Sequence, residues 1–125
     1  MSFIGTVNSD IFFRNRIING NFDIWQRGTS FSTASGVNEY SADRFRTEGN
    51  LANTAISQQT FTQGQTAVPG YPRYFCRIAF NGGNTNGYWA FQQRIESPHN
   101  LGGDGTYTLS FYIRATTGTI AAGAW

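Results

Sequence analysis

The chain has 125 residues, 39% of them hydrophobic, 16% aromatic and only 13% charged, with a net charge of +2. A length of this order holds one compact domain. Charge falls well under the average of about 25% for globular chains, but aromatics at this density supply buried area that a disordered chain lacks. All nine basic residues are Arg, and they are scattered, so no electrostatic footprint for nucleic acid is present.

Fifteen glycines, with abundant Thr, Ser, Asn and Gln, favour short strands joined by turns, and no helical period is visible. No apolar run is long enough to cross a bilayer, and the first residues lack a basic-then-apolar leader. Membrane insertion is not expected, and the chain reads as one made in a cytoplasm. A lone cysteine, Cys76, excludes an intrachain disulfide and sits in an alternating apolar run, as a buried core thiol does.

Residues 1–14 read as an arm: Phe3, Ile4, Phe12 and Phe13 are apolar without a regular period, and such rings need a partner surface to cover them. A first edge strand folded onto the same domain is the alternative. The domain proper spans 15–125. Asn19-Gly20 forms a turn pair, because both residues tolerate positive φ. Phe22, Ile24 and Gln26 then alternate with Asp23, Trp25 and Arg27, predicting a strand ended by Gly28. Residues 29–42 read as a polar loop and 43–47 as a short strand. Residues 52–62 are polar on both faces and predict an edge or surface strand. Gly64, Pro69, Gly70 and Pro72 mark 63–72 as a loop.

Three strands carry a clear period of two. Tyr74, Cys76, Ile78 and Phe80 share a face within 73–80. Trp89, Phe91, Gln93 and Ile95 share one within 87–96. Tyr107, Leu109, Phe111 and Ile113 share one within 106–115. The links at 81–86 and 97–105 are dense in turn formers. The sum is an all-β, antiparallel sandwich. The tail after 115 offers one short candidate strand before Trp125, so the sandwich reads as unfinished, completed by a partner chain or by further polypeptide.

Residues 15–47 carry a resemblance. NRIINGNFDIWQRGTSF followed by EYSADRF resembles phage tail-fibre and appendage proteins that carry a carbohydrate-binding-like, galactose-binding-type jelly roll. Their opening runs N-R-x-x-N-G-D-F-x-x-W-Q-R-G-T-S-F, with Y-x-A-D-R-W downstream. Asn15, Arg16, Asn19, Gly20, Phe22, Trp25, Gln26, Arg27, Gly28, Thr29, Ser30 and Phe31 match the first element, and Tyr40, Ala42, Asp43 and Arg44 the second. Two departures stand: Asn21-Phe22-Asp23 replaces the acidic-then-Phe order, and Phe45 stands where Trp is usual. The stretches at 92–97 and 106–115 also look like the family. The resemblance implies a virion location, a jelly-roll sandwich, other virion proteins as partners and a homotrimer. It does not imply one ligand.

The motif also reads physically. Trp25 can plug one end of the core, Gln26 and Arg27 can bond loop backbone, and Arg27 with Asp43 is a candidate buried pair joining two strands. Asp43 and Arg44, being adjacent, would face opposite ways on a strand. Asn19, Gly20, Trp25, Arg27, Asp43 and Arg44 are therefore read as a folding signature.

Chemistry is sparse. Seven carboxylates, mostly in loops or the arm, offer no facing pair for hydrolysis, and His99, the only histidine, lies in a turn-rich loop without a Gly-x-Ser-x-Gly elbow. One cysteine and one histidine speak against zinc. Asp23 could give one oxygen to a structural calcium of the kind related jelly rolls hold, but no metal and no cofactor is the expectation. The chain is expected to be a non-enzymatic virion structural protein. The alternative is a receptor module for a host-surface glycan, and its outward rings would be Tyr71, Tyr88 and Tyr112.

Overall fold

A computed structural model describes residues 15–33, 39–50, 53–80, 87–95 and 108–116. The arm with Phe3, Ile4, Phe12 and Phe13, His99, and the links at 81–86 and 97–105 lie outside the described residues. The described chain is all-β, with no helix. Its strands are β1 (Ser30–Thr33), β2 (Glu39–Tyr40), β3 (Phe45–Gly49), β4 (Thr54–Thr60), β5 (Tyr74–Phe80) and β6 (Trp89–Gln93). They form two three-stranded antiparallel sheets, ordered β1-β4-β5 and β2-β3-β6.

Register decides which side chains meet. In the first sheet Phe31 pairs with Ile56, Ile56 with Ile78, and Gln58 with Cys76, so these side chains share one face. In the second, Phe45 pairs with Gln93, Thr47 with Phe91 and Gly49 with Trp89. The core joins both sheets: Ile56 from β4 and Phe45 from β3 are buried with Trp25 and Ala42, and Phe31, Cys76, Trp89 and Phe91 pack against them. Two antiparallel sheets sharing one core are consistent with a β-sandwich. Rings carry much of this contact. Phe45 and Phe91 stack with centroids 4.8 Å apart, and Phe80 of β5 meets Trp89 of β6 edge-on at 5.6 Å, across the two sheets.

The strands at 73–80 and 87–96 form as their alternation predicts, slightly shortened. Five expectations are corrected. Residues 22–27 are not a strand: Asn19, with φ 58°, and Phe22, with φ 57°, turn the chain, and side chains rather than a ladder satisfy its backbone. Ile24 accordingly lies exposed while Phe22 turns to the core. The stretch 29–42 is not all loop, since β1 and β2 fall within it. β4 is no edge strand but the centre of its sheet, with Thr54 and Ile56 fully buried. The segment 106–115 has no strand within its described part, and 108–116 is exposed throughout. The strand expected at 43–47 starts only at Phe45, because Asp43 and Arg44 form a turn closed by the Phe45 N–H donating to the Ala42 carbonyl at 2.9 Å.

Cys76 is half-buried in the core region, and burial pushes its thiol up to about 12, so it stays protonated and inert.

Candidate functional site

The irregular segment 15–28 is held by side chains that substitute for a sheet ladder. Asn19 donates from Nδ2 to the Ile24 carbonyl at 2.9 Å and to the Asp43 carbonyl at 3.0 Å, while its Oδ1 accepts from the Ile24 N–H at 3.0 Å. One amide thus ties the loop to itself and to the turn at 42–45. Trp25 is buried, and its Nε1 donates to the Phe22 carbonyl at 2.8 Å, so the indole enters the core without an orphaned donor. Gln58 of β4 donates to the same carbonyl at 2.8 Å. Gln93 of β6 brackets the Ile18 backbone, accepting its N–H at 2.8 Å and donating to its carbonyl at 2.7 Å. Both sheets therefore hold the loop through glutamine amides.

Asp43 is the second lock. Its Oδ1 accepts the Gln26 N–H at 3.1 Å, and its own N–H donates to the Ile24 carbonyl at 3.0 Å. The expected Arg27–Asp43 pair exists at 3.9 Å, but it is not buried and does not join two strands: the Arg27 side chain is 57% exposed. An exposed pair at this distance contributes little to stability. Arg27 also lies over the Tyr40 ring, 5.4 Å from its centroid. Asp43 and Arg44 sit on a turn, so the argument that they face opposite ways on a strand does not apply. Arg44 has φ 72°, a left-handed conformation that side chains rarely adopt.

These residues come together in a shallow groove of about 320 Å³ lined by Gln26, Arg27, Tyr40, Asp43, Arg44 and Arg94. Tyr40 comes from β2 and Arg94 directly follows β6, two elements far apart in sequence. Behind Arg94, the outer face of the second sheet carries Glu48, whose Oε2 accepts from Arg46 at 3.3 Å and Gln92 at 2.9 Å, with Arg94 at 3.8 Å. Gln26, Arg27, Tyr40, Asp43 and Arg44 all belong to the sequence motif, whereas Arg94 lies outside it and was not legible as their neighbour. Only the β3–β6 register brings Arg94 there.

The three expected ligand-facing rings are exposed but stand apart. Tyr71 lies in the loop before β5, beside a second groove lined by Phe61, Gln65 and Arg73, among others. Tyr88 precedes β6 and exchanges hydrogen bonds with Asn50. Tyr112 lies in the exposed segment 108–116. No ring contact joins any two of them. Among the described residues no group of three or more His, Cys, Asp or Glu side chains gathers to hold a metal ion. Comparison with protein families, with curated proteins and with solved structures finds no match to this chain.

Proposed function

We propose that the chain is a bacteriophage virion structural module of the tail-fibre or appendage kind, a jelly-roll sandwich that works by assembling with copies of itself. One observation carries this reading. Leu109, Phe111 and Ile113 alternate with Ser110 and Tyr112, yet the three are 64%, 60% and 62% exposed. Apolar side chains at strand spacing, left in water, mark a surface that another chain covers. Among the described residues β5 and β6 each end a sheet, so the same chain offers both the segment and the edges it could extend. Self-association follows from that complementarity, and the motif at 15–47 supports a trimer of the phage type.

Light scattering on the purified chain tests this. The expected mass is that of a trimer. Leu109→Asp with Phe111→Asp should give a monomer that keeps its far-ultraviolet β spectrum. A native chain that is monomeric at high concentration, with the amides of 108–116 protected from exchange, would show that the segment pairs within its own chain and would overturn the proposal.

A further inference from the structure

Between Glu48 and Glu96 the sequence holds no Asp or Glu, yet it holds Arg73 and Arg77. β4 and β5 fall within that stretch, and β1, the remaining strand of their sheet, carries no acid either. Among the described residues Arg27, Arg46 and Arg94 meet carboxylates, whereas Arg73 and Arg77 meet none. The Arg73 guanidinium lies over the Tyr74 ring, 5.0 Å from its centroid. A ring carries no net charge, so that contact leaves the cation uncompensated.

Both arginines belong to the outward side of the first sheet. Cys76 packs against the core, so Phe75 and Arg77 point away from it. The β4–β5 pairing continues one residue past Thr60 and Tyr74, since the Phe61 N–H donates to the Arg73 carbonyl at 3.0 Å. Phe61 then meets Phe75 with ring centroids 4.7 Å apart. Arg73 and Arg77 are thus four residues apart along extended backbone, a rise of roughly 13 Å. Arg77 is exposed, and Arg73 opens onto a groove of about 390 Å³ that Phe61, Gln65, Tyr71 and Pro72 also line. The groove is held in shape: the Gln65 side chain accepts the Val68 N–H and donates to the Val68 carbonyl, both at 2.9 Å. Tyr71 stands 83% exposed at a φ of 51°, a left-handed conformation that bulky residues rarely adopt. Backbone strain of this kind concentrates at ligand clamps.

We propose that this groove and the outward side of β5 bind an extended acidic segment of a partner polypeptide. An apolar side chain of the partner packs on Tyr71 and Pro72, and its carboxylates meet Arg73 and Arg77. The spacing selects a polypeptide: an extended chain presents every second side chain on one face, so residues four apart repeat the same rise of roughly 13 Å. Guanidinium forks match carboxylates, and Tyr and Arg are the anchors enriched at protein interfaces. A small single anion would engage one arginine and leave the other, and a neutral ligand would compensate neither. The segment 108–116 of another copy is not this partner, because its only charge is that of Arg114.

The test is calorimetric titration of the intact chain at low salt. The probe is the peptide Trp-Thr-Asp-Thr-Asp-Thr-Asp, blocked at both ends, which puts its indole and three carboxylates on one face when extended. Its controls are the same peptide with Asn for each Asp and a glucuronate-containing tetrasaccharide. The acidic peptide should bind with a Kd of roughly 0.1–1 mM, and both controls at least about tenfold more weakly. Arg73→Gln and Arg77→Gln should each weaken the peptide about fivefold, the scale of one exposed charge pair. Arg77→Gln should leave the melting temperature unchanged, because that side chain is exposed and unpaired. Arg77→Glu should prefer a peptide whose last Asp is replaced by Lys, a swap that a merely structural arginine would not produce. Equal binding of the Asn peptide, equal binding of the tetrasaccharide, indifference to both glutamine substitutions, no reversal by Arg77→Glu, or no binding of the acidic peptide would each overturn the proposal. Oligomeric state, the readout for assembly, is separate from this one, so either idea can fail alone.

Discussion

Asn19 shows how one residue replaces a length of strand. Its side chain makes bonds of 2.9, 3.0 and 3.0 Å to backbone at Ile24 and Asp43, and its own backbone sits at φ 58°, which asparagine tolerates better than most residues. Each bond is worth about 1 kcal/mol net, and a β-carbon without a compensating amide at positive φ costs about 1 kcal/mol more. Asn19→Ala should therefore lower stability by about 4 kcal/mol in urea unfolding, and Asn19→Gly by about 1 kcal/mol less. Equal losses in the two variants would mean that the left-handed backbone is not part of the cost. The residue was legible in the sequence as half of a turn pair. Its partners were not, because the Asp43 carbonyl lies far along the chain and nothing local points to it. The same distance hid the groove: Arg27, Tyr40, Asp43 and Arg44 stand out within a motif, whereas Arg94 reaches it from the end of β6.

At the level of elements, β3 and β6 approach closely where Gly49 faces Tyr88 and Trp89. A β-carbon on Gly49 would lie 2.5 Å from the Tyr88 carbonyl oxygen and 2.8 Å from the Trp89 Cα. Backbone cannot swing aside as a side-chain tip can, so the strands would have to part. Asn50 closes this end by donating its N–H to the Tyr88 carbonyl at 3.1 Å and accepting the Tyr88 N–H on its Oδ1 at 2.9 Å. Gly49→Ala should cost about 1–3 kcal/mol, the range of overpacking in a fitted site, and should speed hydrogen exchange at the Tyr88 and Asn50 amides. Unchanged exchange there would sink this account. Why some elements were legible follows from their side chains. β5 and β6 alternate apolar with polar and were found. β4 was recognised as a strand but placed at an edge, because it carries Thr54, Ser57, Gln58 and Gln59. Its centrality depends on partners elsewhere, such as the Phe22 carbonyl that accepts from Gln58. In 22–27 the alternation is real but the ladder is absent, because Asn19 and Asp43 satisfy the backbone instead. In 108–116 the pattern of a strand is present without a neighbouring strand among the described residues, and sequence period alone cannot tell those two conditions apart.

For the molecule as a whole, the question is whether two small sheets unfold as one. A three-stranded sheet sits at the lower limit of independent stability and needs its hydrophobic face covered. The core binds them: Ile56 is fully buried in the first sheet, and it belongs to the same cluster as Phe45 in the second and Trp25 in the loop. Rings continue the connection. Phe22 lies 5.0 Å from Phe45, Phe45 4.8 Å from Phe91, Phe91 5.9 Å from Trp89, and Trp89 5.6 Å from Phe80 back in the first sheet. Gln58 and Gln93 hold the same loop from opposite sheets. Removing core volume from one sheet should therefore be felt in both. Ile56→Ala should destabilise by about 2–5 kcal/mol, and the unfolding midpoints by tryptophan fluorescence and by far-ultraviolet circular dichroism should fall together. Trp89 sits on the second sheet and Trp25 in the loop, whereas Ile56 is on the first sheet, so these two indoles report from other elements than the one substituted. A fluorescence midpoint that stayed put while the dichroism midpoint dropped would separate the sheets into independent units. It would also mean that the loop locks serve only the second sheet. Coincident midpoints would establish the shared core as the element that sets the loop and, through Asp43 and Asn19, the geometry of the groove.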